Sequence, residues 1–416
     1  MSPGDESATE SNGPAPYADY MAQILREGIL MGNKPVVTTN PNKLQAQALE
    51  KMKKDGYNYV YLGCSESATM DANRLAFRRW NLIPRIFKPT TPRDMSVTLF
   101  GHKYRSCVFM APLGCQGIMH DDKEIGVAQA CAALDVPFTM STSSTSNIEE
   151  LATAVPDSPK WFQLYWPSDE EILASIVKRV KDNGFHTLVV TLDTWSMAWR
   201  SSDLDTASTP FLVGIGNEVA FHDPVFRRKF AEKYDGDTPE ENKTMAGIYW
   251  CEQIFPGVSK SWEDLKILRK YWTGPLVIKG LMSVYDARLA VEHGVDGIII
   301  SNHGGRQMDG GAGTLDVLPE IVEAVGSQTA VMIDSGFRTG ADIVKALALG
   351  AKAVFVGRPV VYGLGINGKE GAQAVLAGLL ADADLTMGTV GAQKVSELNR
   401  TMMMESRHTV DVRSNL

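Results

Sequence analysis

The sequence is short of cysteine, of positive charge and of long apolar runs. Its 416 residues include five cysteines (Cys64, Cys107, Cys115, Cys131 and Cys251), an odd number with no C-x-x-C pair. That pattern supports neither a disulfide framework nor a zinc site, and it points to a reducing, intracellular compartment. Lys plus Arg total 41 against 49 Asp plus Glu, a formal net charge of −8. No nucleic-acid partner is expected, because neutralising phosphates needs a basic face. No stretch reaches the roughly 18 consecutive apolar residues of a membrane span, so no membrane association is expected. Residues 1–16 are polar and rich in Ser, Gly and Pro, without the basic start and apolar stretch of a signal peptide. They are expected to form a disordered tail. The chain ends in Ser414-Asn415-Leu416, close to the S-K-L peroxisomal address but without its basic middle residue. Cytoplasmic and peroxisomal locations therefore both stay open.

What is present is a core-forming composition, 44% apolar. Short apolar runs occupy 107–111, 137–141, 161–165, 187–193, 275–280, 297–302, 330–335 and 353–358. They are continuous rather than alternating, as parallel strands covered on both faces must be. Amphipathic segments such as 170–183 and 339–349 lie between them. Eight strands separated by helices predict an α/β fold, a (β/α)8 TIM barrel over 104–400. Residues 17–103 read as an N-terminal helical extension, with 43–54 and 70–80 the clearest helices. Residues 371–381 and 390–403 read as closing helices, and 401–416 as a tail. The interval 200–262, after the fourth strand, breaks the rhythm with Gly214, Gly216, Pro224, Pro239 and Pro256. An insertion of that length reads as a lid.

A barrel of this kind does its chemistry at the carboxyl ends of its strands. Those ends deliver Ala111 and Pro112; Ser141; Gln163 and Tyr165; Thr191 and Asp193; Lys279; Ser301 and His303; Asp334, Ser335 and Gly336; and Gly357 and Arg358. Polar or small groups follow apolar interiors at almost every strand, the pattern of a ligand-filled mouth. The last two strands are the customary phosphate end, where glycines permit close backbone approach and Arg338 or Arg358 adds charge. Ser301-Asn302-His303-Gly304-Gly305-Arg306 places an imidazole and a guanidinium on one supple loop. Histidine is the usual base near neutral pH, and arginine grips a carboxylate with a bidentate fork. Asp193 is placed to orient such a base. Residues 363–368 match G-x-G-x-x-G, but no βαβ unit surrounds them, so a dinucleotide fingerprint is rejected.

These residues resemble the FMN-dependent L-2-hydroxy acid oxidases and dehydrogenases. The motifs are S-N-H-G-G-R-Q at 301–307, V-I-K-G at 277–280, W-F-Q-L-Y at 161–165, D-S-G-F-R-T-G at 334–340 and A-L-A-L-G-A-K-A-V-F-V-G-R-P at 346–359. Within the family, T-L-D-T-W-S-M-A-W-R at 191–200 and D-P-V-F-R-R-K-F at 223–230 are similar to the lactate 2-monooxygenase branch. The resemblance implies FMN as cofactor, a small 2-hydroxy acid and molecular oxygen as reactants, and a homo-oligomer, tetramer or octamer. It implies His303 as base with Asp193 as partner, and Arg306 and Arg200 as carboxylate ligands aided by Tyr59. Tyr165 would contact the substrate hydroxyl, and Lys279 would face the flavin pyrimidine edge. Ala111, Pro112, Leu113, Ser141, Gln163 and Thr191 would line the isoalloxazine, with Ser301 beside them. Asp334, Ser335, Gly336, Arg338, Gly357 and Arg358 would hold ribityl and phosphate. Oxidative decarboxylation of the oxo acid is one implied outcome. Simple peroxide release, a quinone or cytochrome acceptor, and a non-catalytic flavin-binding barrel are the alternatives.

Overall fold

A computed structural model describes residues 16–406. Most of residues 1–16 and all of Ser414-Asn415-Leu416 lie outside the described residues. Eight parallel strands close into a barrel in chain order: β1 Val108–Met110, β2 Phe138–Ser141, β3 Lys160–Leu164, β4 Thr187–Thr191, β5 Leu276–Leu281, β6 Gly297–Ile300, β7 Ala330–Ile333 and β8 Val354–Val356. Each falls within or beside one of the apolar runs. Side chains on alternate positions turn to opposite faces. Phe109, Trp161, Val189, Val277, Ile299, Met332 and Phe355 fill the barrel interior, and their chain neighbours pack outward under the helices. That double burial is why the runs show no polar alternation.

The helices carry their own start signals. Asp169 caps Glu170–Asp182 by accepting from the backbone N–H groups of Glu171 and Ile172. Ile172, Leu173, Ile176, Val177 and Val180 of that helix are buried at the spacing of one helix face. Thr339 and Asp342 form a capping box on Gly340–Ala348, which holds the turn after β7. Residues 363–368 lie within the helical segment Arg358–Thr389, which breaks at Asn367 and Gly368, and not on a strand-to-helix turn.

The N-terminal extension is less uniformly helical than expected. Helices Pro41–Lys51, Lys54–Tyr61 and Ala68–Arg78 are present, but Trp80–Leu82 is a strand and Val97–Leu99 pairs with His102–Tyr104 as a hairpin. The hairpin plugs the amino end of the barrel with Leu99 and Tyr104, and Trp161 Nε1 donates to the Tyr104 hydroxyl at 3.1 Å. The closing helix expected over 390–403 does not form. Gly391, at φ +85°, ends the long helical segment, and two short 3-10 turns follow. The expected tail begins with a strand, Met403–Glu405, paired antiparallel with Trp80–Leu82.

The insertion after β4 is helical, with Ser201–Asp205, Glu218–Phe221, Pro224–Lys233 and Lys243–Ile254. Its Phe221, Phe226, Phe230, Tyr249 and Trp250 pack on one another and join the core that the barrel's outer face shares with its helices. Asp223 caps one of its helices and lies 3.4 Å from Arg179 of the barrel. Among the described residues no helix is long and apolar enough to cross a membrane.

Candidate active site

The turns after β4 and β6 bring Asp193 and His303 together across 110 residues, with Oδ1 2.9 Å from Nδ1. Gly280, in the irregular end of β5, makes room for this contact. Its φ is +108°, and a Cβ there would stand 2.8 Å from Asp193 Cβ. His303 is itself left-handed at φ +58°, and its N–H donates to Ser301 Oγ at 3.1 Å. The Thr194 hydroxyl donates to the same Asp193 oxygen at 2.8 Å. With Nδ1 turned to the carboxylate, Nε2 faces the Tyr165 hydroxyl at 3.4 Å. Burial pushes the His303 imidazole below its usual range, against the opposing pull of Asp193. Burial pushes Asp193 up, yet the charges of His303 and Lys279 outweigh it and hold the carboxyl at about 2. At neutral pH the pair is a carboxylate beside an uncharged imidazole, a base ready to receive a proton.

Two guanidinium groups converge on this dyad. Arg306 Nη1 donates to the Leu62 carbonyl at 2.9 Å, and its guanidinium lies 5.0 Å from the Tyr59 ring centre. Arg200, 8% exposed, donates from Nε to the Arg306 carbonyl at 3.3 Å. Neither forms an ion pair with a carboxylate among the described residues. Burial and the neighbouring Arg200 push Arg306 down to about 10. Buried cations without counter-charge are costly, and an anionic ligand between them offsets that cost.

The other end of the mouth gathers Arg338, Arg358 and Lys279. Arg338 donates to the Phe337 carbonyl at 2.9 Å, and Arg358 to the carbonyls of Val60 at 2.7 Å and Gly304 at 2.8 Å. Arg358 therefore also staples the N-terminal extension to the His303 loop. Burial pushes it down to about 9. Lys279 Nζ donates to Ser301 Oγ at 2.9 Å and lies 3.4 Å from Asp334 Oδ2. Burial would lower the lysine, but Asp334 and Asp193 hold it above its usual range, so it stays a cation. On the wall between, Ser141 Oγ and the Thr142 N–H both donate to Gln163 Oε1, at 3.0 and 3.3 Å. That fixes the amide with Nε2 as a donor, and this buried atom has no partner among the described residues; nor has Thr191 Oγ1. Orphaned donors beside unpaired arginines are what a flavin mononucleotide, with its carbonyl-rich ring and phosphate, would satisfy.

A cavity joins the two ends. It is lined by Tyr59, Ala111, Pro112, Leu113, Ser141, Tyr165, Lys279, His303, Arg306, Asp334, Ser335, Gly336, Arg338, Gly357 and Arg358 among the expected residues. Asp193, Gln163, Thr191, Arg200 and Ser301 are not among the residues that line it. The sequence reading passed over Thr194, whose only signal is adjacency to Asp193. It also passed over Phe211 and Phe255 of the insertion. These two rings lie 5.9 Å apart, and their edge contacts reach Tyr59 at 6.0 Å and Tyr165 at 5.1 Å.

Such a mouth defines a class: a barrel enzyme that seats an anionic, phosphate-bearing cofactor beside an anionic substrate. Residues 48–405 match the FMN-dependent dehydrogenase family, and the chain belongs to it. It is an FMN-dependent oxidoreductase. The chain is 49% identical over 403 residues to the FMN-dependent alpha-hydroxy acid dehydrogenase qulF of Penicillium citrinum, covering 97% of this chain and 100% of that one. It is 35% identical to L-lactate oxidase of Lysinibacillus sphaericus, covering 89% and 93%. The crystal structure of mandelate oxidase superposes with a TM-score of 0.76 at 30% identity, covering 90% of this chain and 100% of that one.

Proposed function

We propose that the protein oxidises a small L-2-hydroxy acid to the 2-oxo acid, with molecular oxygen as electron acceptor. The observation that carries this is a neutral base, His303, with Nε2 turned to the Tyr165 hydroxyl and with Arg306 and Arg200 nearby, two guanidinium groups that have no carboxylate partner among the described residues. A hydroxyl proton and a carboxylate on adjacent carbons are what such a pair would engage. Bound FMN supplies the two-electron acceptor for the substrate Cα–H. Arg306 and Arg200 hold the carboxylate, with Tyr59 beside them, and Tyr165 meets the hydroxyl. His303 takes the hydroxyl proton, and Asp193 stabilises the imidazolium that results. Lys279, already a cation before the reaction, offsets negative charge at the flavin without reorganisation. Two similar proteins are named for lactate and mandelate, 2-hydroxy acids that differ in side chain.

The insertion supports a second outcome on the same site. Phe211 and Phe255 back the two active-site tyrosines, and a covered pocket slows product escape. A retained 2-oxo acid reacts with hydrogen peroxide to give a carboxylic acid one carbon shorter, carbon dioxide and water. The test is product analysis with L-lactate and larger L-2-hydroxy acids under oxygen. Free peroxide in stoichiometric yield removes the decarboxylating version and leaves a simple oxidase. Rapid dye reduction without oxygen uptake means a quinone or cytochrome acceptor. A flavin that no hydroxy acid bleaches overturns the proposal.

A further inference from the structure

The motif at 301–307 ends in Gln307, to which no role has yet been attached. Among the described residues its carboxamide makes three hydrogen bonds, all to the eight-residue segment 193–200 that leaves β4 and enters the insertion. Oε1 accepts from Arg200 Nη2 at 2.9 Å, and Nε2 donates to the carbonyls of Asp193 at 3.1 Å and Ser196 at 3.2 Å. Chemistry fixes this orientation. A guanidinium offers only donors and a carbonyl only acceptors, so the flipped amide would make all three contacts repulsive. No other side chain of similar size presents one acceptor and two donors at that reach. Glutamate keeps the acceptor but sets a carboxylate oxygen against two carbonyls, and leucine keeps the volume with none of the bonds.

We infer that Gln307 is a positioning residue that sets the substrate-binding Arg200 and the base partner Asp193 in register with one another. The inference rests on the proposed roles of Arg200 and Asp193. Arg200 is held on two sides by one loop, through the Arg306 carbonyl and the Gln307 amide, so its guanidinium is aimed before substrate arrives. The same amide pins the carbonyl of Asp193, whose carboxylate orients His303. Gln307 touches neither the base nor the carboxylate of the dyad. It acts through the backbone of one and the side chain of the other.

The experiment compares holoenzyme, Gln307→Leu and Gln307→Glu in anaerobic flavin reduction by the best L-2-hydroxy acid, at several substrate concentrations and across pH. For Gln307→Leu the substrate dissociation constant should rise at least about tenfold, the loss expected when a hydrogen bond to a charged group goes. The limiting reduction rate should fall as well. FMN content and the visible spectrum of the oxidised enzyme should stay as in the wild type, which separates positioning from general unfolding. The acid limb of the reduction profile should move to lower pH, because a loosened Asp193 no longer raises the proton affinity of His303. Gln307→Glu should fail to restore either constant. Wild-type affinity, rate and pH limb in Gln307→Leu overturn the inference, and so does rescue by glutamate. A wild-type enzyme that no hydroxy acid reduces overturns the functional proposal and this inference with it. The two failures are therefore distinguishable.

Discussion

Replacing Asp193 by Asn tests the centre of the mechanism with almost no change of shape. The carboxylate lies 2.9 Å from His303 Nδ1 and is held ionised, at about 2, by His303 and Lys279 against the push of burial. When His303 takes the substrate proton, the new positive charge sits next to this negative one. Two unit charges about 4 Å apart at an effective dielectric of about 20 attract by roughly 4 kcal/mol. At 1.36 kcal/mol per decade this is about a thousandfold in the proton-transfer step. The asparagine amide also presents donors where Nδ1–H needs an acceptor, which favours the wrong tautomer. Stopped-flow flavin reduction without oxygen reads the step directly. The limiting rate should fall by about three orders of magnitude while the protein stays yellow. The sign of the pH effect follows from linkage. Asp193 raises the proton affinity of His303, so its loss lowers the pKa of the base and shifts the acid limb to lower pH. A rate within tenfold of wild type, or an acid limb that moves upward, would refute the assignment of Asp193 as the partner of the base.

Two further substitutions probe the surroundings. Arg306→Lys keeps the charge but loses the planar fork and the bond to the Leu62 carbonyl. The substrate dissociation constant should rise by about tenfold or more, read from flavin bleaching against substrate concentration. Gly280→Ala forces a Cβ to within 2.8 Å of Asp193 Cβ at a backbone φ of +108°. It should slow flavin reduction through a displaced Asp193 and lower the melting temperature. An unaltered rate would show that the dyad tolerates that displacement.

The parts legible in the sequence and the parts hidden from it divide by how far a contact reaches. Strands β1 to β8 show as apolar runs because both faces of each are covered, one by Trp161, Phe355 and their interior neighbours, the other by helices. Burial on two sides leaves a local mark on composition. The motif carrying His303 and Arg306 shows for a similar reason, as a chemically unusual cluster at one strand end. The false helix over 390–403 shows the limit of local pattern. Gly391 and the pairing of Met403–Glu405 with Trp80–Leu82 decide that stretch, and the pairing partner lies more than 300 residues away.

The shortages that first narrowed the field were determined by the sequence alone: few cysteines without metal spacing, no long apolar run and no basic excess. So were the eight strand runs and the residue types at their ends. Only the tertiary structure decided which of those residues meet. It set Asp193 against His303, Lys279 between Ser301 and Asp334, and Phe211 and Phe255 behind Tyr59 and Tyr165. It alone showed four arginines at the mouth, Arg200, Arg306, Arg338 and Arg358, whose side chains form no ion pair with a carboxylate among the described residues and bond mainly to backbone carbonyls. The physical reason is that burial and pairing are properties of neighbours in space. A charged residue reads the same in a sequence whether its partner is a carboxylate of the chain or of a ligand.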